Sequence, residues 1–149
     1  MNEAATYALA TVYALSPYYE YSGVILKLPD GKFVVVPAET DYSGVESGSL
    51  AAADPLQWKF PLVAQYHTHP CLPYTHVPGE FSPMDVRFSR VSHLPEYMGD
   101  LCTGNVHLYD PAVDVAPRDP FGTVTVPGRV VGKFWVSGVP LEKKPAGED

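Results

Sequence analysis

The sequence is short of several things, and each shortage closes off a class of protein. Cysteine occurs only twice, at Cys71 and Cys102. Two cysteines do not make the dense framework of a small secreted domain, and the simplest reading is two free thiols. Basic residues are few: 10 Lys and Arg against 17 Asp and Glu, a formal charge of -7. That balance argues against a nucleic-acid surface or an anionic membrane surface, so neither is expected as a partner. No apolar run reaches the roughly 18 residues that a membrane helix needs. The first residues, Met1 to Ala5, lack the basic and apolar regions of a signal peptide. The expected setting is the cytoplasm, or delivery by a secretion system as part of a larger protein.

Proline is what the chain has in excess, at 16 of 149 residues. That is about twice the usual share of roughly 5%. The prolines are scattered, which predicts a loop-rich fold of short elements rather than a disordered proline tract. The length suits one domain with one sizeable core. We expect that domain over residues 1–141, with the charged stretch 142–149 as a disordered tail.

Taken in order, residues 3–15 read as a helix, with Ala5, Leu9 and Val12 at helical spacing and Ser16-Pro17 as its stop. Two strand-like runs follow, Val24 to Leu28 and Lys32 to Val36. Pro29-Asp30-Gly31 between them signals a hairpin turn. Residues 38–60 read as a connection with one short helix. A further strand covers 62–69, and residues 70–81, with three prolines and a glycine, read as a surface loop. Ser82-Pro83-Met84-Asp85 has serine at the N-cap, proline at N1 and an acid at N3, a helix-start signature. That helix is expected to reach residues 89–91, with a further turn starting in 92–96. Asn105 to Tyr109 is a candidate strand, residues 111–122 are loop-like, and one or two last strands flank Pro127-Gly128. The fold class is α/β mixed (α+β), with a largely antiparallel sheet.

The chemistry concentrates at His67-Thr68-His69-Pro70. Residues two apart on a strand point to the same side, so two imidazoles share one face. Asp85 adds an oxygen donor. Two nitrogens and one oxygen make a sensible set for a catalytic zinc, which keeps a fourth position for water. Glu20 is the candidate base, and the Ser82 hydroxyl is a candidate donor to an oxyanion. Each piece also has a plainer reading: His67 and His69 as a strand end, Ser82 to Asp85 as a helix cap. Cys71 and His76 sit in the loop beside the pair and are either auxiliary ligands or loop residues. His93 and His107 read as surface or packed histidines. Tyr13, Tyr18, Tyr19 and Tyr21 read as core and hairpin packing that flanks Glu20.

Together these pieces resemble the JAMM metallopeptidases, also called the MPN-plus or JAB domain. The resemblance rests on Glu20-Tyr-Ser-Gly23 after a helix, His67-Thr-His69-Pro70, and Ser82-Pro-Met-Asp85, in that order over about residues 3–91. It implies a cytidine-deaminase-type sheet with flanking helices. It also implies Glu20 as general base, Ser82 as oxyanion stabiliser, and one zinc ion on His67, His69 and Asp85. The loop at 70–81 is twelve residues, longer than is usual in the family. The wording of Asp30-Gly-Lys-Phe33, Tyr66-His-Thr-His-Pro70 and Phe81-Ser-Pro-Met-Asp85 is most similar to a bacterial branch associated with Rhs and other polymorphic-toxin proteins. The implied activity is hydrolysis of a peptide or isopeptide bond in a peptide or protein substrate. If the domain is a toxin, an immunity or carrier protein is the further implied partner. The alternative is a non-catalytic, metal-bound interaction module on the same fold. A cupin-type metal oxygenase is disfavoured, because no carboxylate follows His69 closely; the next acid is Glu80.

Overall fold

A computed structural model describes residues 1–15, 19–40, 59–71, 79–115 and 125–134. Among the described residues, two helices lie on opposite faces of a six-stranded sheet. The elements are α1 (Asn2–Leu15), β1 (Ser22–Lys27), β2 (Phe33–Val35), β3 (Leu62–His69), β4 (Glu80–Phe81), α2 (Pro83–Ser92), β5 (Glu96–Asp100), β6 (Asn105–Tyr109), β7 (Val126–Pro127) and β8 (Arg129–Lys133). The sheet order is β2-β1-β3-β5-β6-β8, and β4 and β7 form a separate two-stranded ribbon. Only β3 and β5 run parallel among these strand pairs. The expected class, mixed α and β with a largely antiparallel sheet, is therefore the one observed.

Helix α1 forms where alanine and leucine favour it, and its apolar stripe supplies the burial that holds it. Ala5, Ala8, Leu9 and Val12 are buried against Ile25, Ala64, Tyr66, Tyr97, Val106 and Leu108 of the sheet. Helix α2 and the ribbon cover the other face. Phe81 and Val86 pack there with Met98 and Tyr109, while Phe88 and Leu94 pack on Val24 and Leu26. The hairpin turn is as the Asp-Gly pair predicts. Gly31 takes φ +88°, a left-handed conformation that glycine adopts without strain, and Asp30 accepts the Lys32 N–H at 2.9 Å.

The strand that carries the histidines is pinned on both sides. Ser22 pairs with His67 and Gly23 with Tyr66 on the β1 side. A side chain at position 23 would strike the Tyr66 ring at 2.5 Å, so glycine is what lets the ring lie across β1. On the other side β5 pairs in parallel, Gln65 with Glu96 and His69 with Asp100.

Three expectations are corrected. Cys71 and Cys102 are not free thiols: they form a disulfide, with Cα atoms 4.8 Å apart. The parallel pairing of β3 and β5 brings the C-terminal ends of these two strands together, and the argument for a reducing compartment from free thiols falls away. Residues 92–96 do not begin another turn. His93 closes α2 in the left-handed conformation (φ 58°, ψ 31°) and the chain passes into β5, a strand the sequence reading left out. The expected loop 70–81 ends in strand β4. The reading of 38–60 as a connection with a helix falls largely outside the described residues, as do His76 and the tail 142–149.

Candidate metal centre

Three donor atoms converge at the C-terminal end of β3. His67 Nε2 lies 3.0 Å from His69 Nε2, and Asp85 Oδ2 lies 3.4 Å and 3.2 Å from the two. Strand geometry brings the imidazoles together, as the alternation of side chains requires. Asp85 is delivered by the start of α2. Ser82 is the N-cap there, at φ -69° and ψ 159°. Its hydroxyl accepts the Asp85 N–H at 3.1 Å, and Asp85 Oδ2 accepts the Ser82 N–H at 2.9 Å. The cap and the donor role therefore coexist in one carboxylate: the oxygen that closes the capping box is the oxygen beside the histidines.

The spacing suits a metal ion. Tetrahedral bonds of about 2.0–2.1 Å to nitrogen and oxygen put neighbouring ligand atoms about 3.3 Å apart. His67 and His69 are buried, and Asp85 is mostly so. His67, His69 and Asp85 can thus hold a metal ion. Cys71 is not available as a thiolate ligand, because it is in the disulfide. His93 is a helix cap, and His107 lies buried in β6 with its Nδ1 3.3 Å from the Gly128 carbonyl. Tyr21 and Tyr19 belong to the α1 core, as expected; nothing is described of the Tyr13 and Tyr18 side chains.

Glu20 is buried just before β1. The β1–β3 ladder continues past Ser22, since the Thr68 N–H donates to the Tyr21 carbonyl and the Tyr21 N–H to Thr68 Oγ1. Extending that register one more step sets the Glu20 backbone opposite His69. The group of candidate ligand atoms does not include Glu20.

One residue of the site was missed from sequence: Glu96. Its Oε1 lies 2.8 Å from His67 Nδ1, on the side of the ring away from Asp85, and it is buried. Its signal is tertiary, since it comes from the neighbouring parallel strand. The electrostatics follow from this crowding. Burial opposes charge on His67, but the Asp85 and Glu96 carboxylates outweigh it and hold its pKa well above 6.5. Burial would raise Asp85, but the two imidazoles outweigh it and hold the carboxyl well below 3.8. Glu96 is pushed up to about 7 by burial, with His67 acting the other way.

No protein-family model, curated protein or solved structure matches this chain. The site therefore stands on its own geometry.

Proposed function

We propose that this chain is a JAMM-type zinc hydrolase that cleaves a peptide or isopeptide bond. The observation that carries the reading is the convergence of His67 Nε2, His69 Nε2 and Asp85 Oδ2 within 3.4 Å of one another. Zinc held there would lower the pKa of a water to roughly 7 and polarise a substrate carbonyl. Glu20 takes the proton of the attacking water and returns it to the leaving nitrogen. Its place opposite His69, buried, suits a base at this site. The Ser82 hydroxyl accepts from Asp85 N–H, so its own proton is free to be donated to the oxyanion. Burial of the donors keeps bulk water from competing with the substrate. The substrate is a peptide or protein segment. Within a polymorphic-toxin setting, the partner would be an immunity or carrier protein.

The test is a Glu20→Gln variant assayed on peptide and isopeptide libraries beside the wild type. We expect hydrolysis by the wild type, and a loss of at least ~100-fold in the variant, the scale of a general base, with metal content unchanged. A wild type that binds zinc but cleaves nothing in either library would favour the non-catalytic module instead.

A further inference from the structure

Glu96 is an expensive residue to bury. A carboxylate taken from water loses its hydration, and a protein core tolerates it only where something compensates. Its Oε1 is 2.8 Å from His67 Nδ1, while Oε2 has no hydrogen-bond partner among the described residues. The neighbouring strand position is Gln65, also buried, whose Nε2 is likewise without one. An apolar residue would serve packing alone better than this carboxylate does.

We propose that Glu96 is the positioning residue of the metal centre. By accepting the Nδ1–H of His67 it selects the tautomer whose Nε2 lone pair is aimed at His69 Nε2 and Asp85 Oδ2. It also completes the charge balance. Two neutral imidazoles and one Asp85 carboxylate leave a divalent cation and its three ligands with a net charge of about +1, and the Glu96 carboxylate offsets that charge from behind His67. The inference rests on the metal reading and assigns Glu96 a task within it: the orientation and electron-donating strength of His67, acting through that ring and not on substrate.

Two substitutions separate the parts of this role. Glu96→Gln keeps an oxygen that can accept from Nδ1–H and removes the charge. Glu96→Leu removes both. The probe is zinc alone, titrated against a chromophoric chelator, with 15N spectra of the histidines of the metal-free proteins recorded over a pH series that reaches the neutral form of His67, the only form that has a tautomer. We expect Glu96→Leu to weaken zinc binding roughly 10- to 100-fold, the usual scale for such a supporting carboxylate, with Glu96→Gln in between. The His67 resonances are expected to show one tautomer in the wild type and Glu96→Gln, and a mixture in Glu96→Leu. A folded Glu96→Leu that binds zinc within about threefold of wild type, or keeps the single tautomer, would overturn the assignment. Should that variant not fold, Glu96→Gln decides alone: zinc affinity within about threefold of wild type overturns the charge-balance role, and a clear weakening supports it. A wild type that takes up no zinc would instead sink the metal reading beneath it.

Discussion

At the scale of single residues, the proton-binding groups of the site predict an unusual pH dependence. His67 has its folded pKa raised, so its stabilising contribution is present below the ordinary histidine value and is lost as pH rises through the folded one. Glu96, raised to about 7, behaves the same way: the folded state holds a proton that the unfolded chain releases near 4.3. Asp85 is depressed, so its contribution is present above about 3.9 and is lost only as pH falls through its low folded value. Without metal, then, thermal stability should decline as pH rises from about 4.3 through the Glu96 value of about 7 and on through the raised His67 value. Zinc needs those same protons displaced, so the rise in Tm on adding zinc should grow across that range. Scanning calorimetry with and without zinc at several pH values measures both. A zinc-induced rise that shrank as pH increased would contradict the assignment of His67 as a ligand. Much of this scale was legible in the sequence. His67 and His69 share a face because they are two apart on a strand, and Ser82 and Asp85 declare themselves because a capping box is local. Glu96 was not legible, because its partner is 29 positions away and nothing local marks it.

At the scale of elements, β5 is the back-plate of the site. It supplies none of the three donors, yet its first residue supports His67 and its far end is tied to the end of β3. The Leu101 N–H donates to the His69 carbonyl at 3.1 Å, and the Cys71–Cys102 disulfide follows at once. Opening that bond frees a closure of 31 residues in the unfolded chain, a stabilisation of about 3–4 kcal/mol in the chain-entropy account. We therefore expect a Cys71→Ser, Cys102→Ser double variant to unfold at distinctly lower denaturant, and to bind zinc more weakly because His69 lies two residues from the bond. Urea unfolding and zinc titration check this; an unchanged midpoint would mean the disulfide constrains nothing. The sequence reading missed β5 for a physical reason. Glu-Tyr-Met-Gly-Asp has no alternation, because a central strand buried on both faces needs none. The two cysteines read as free thiols for a related reason: only the β3–β5 pairing brings them together. The first hairpin was legible because Asp30-Gly31 dictates its turn locally.

At the scale of the whole molecule, the sheet separates two tasks. On one face α1 and its partners make an apolar core with no part in the site. On the other, Phe81 of the β4–β7 ribbon lies edge-on to His67 and α2 delivers Asp85 to the two histidines. The layering was legible as a class from the order of elements. The distribution of core and site between the faces was not, because it depends on which strands become neighbours. Among the described residues, no helix is long and apolar enough to cross a membrane.

The central claim is that His67, His69 and Asp85 hold one zinc ion with Glu20 beside it as a base. Elemental analysis of the purified, untagged wild type, Glu20→Gln and His67→Ala proteins tests it most directly. The account predicts about one zinc per chain in the wild type and in Glu20→Gln, and little in His67→Ala. Zinc retained in full by His67→Ala, or absent from the wild type even after zinc is added, would contradict it.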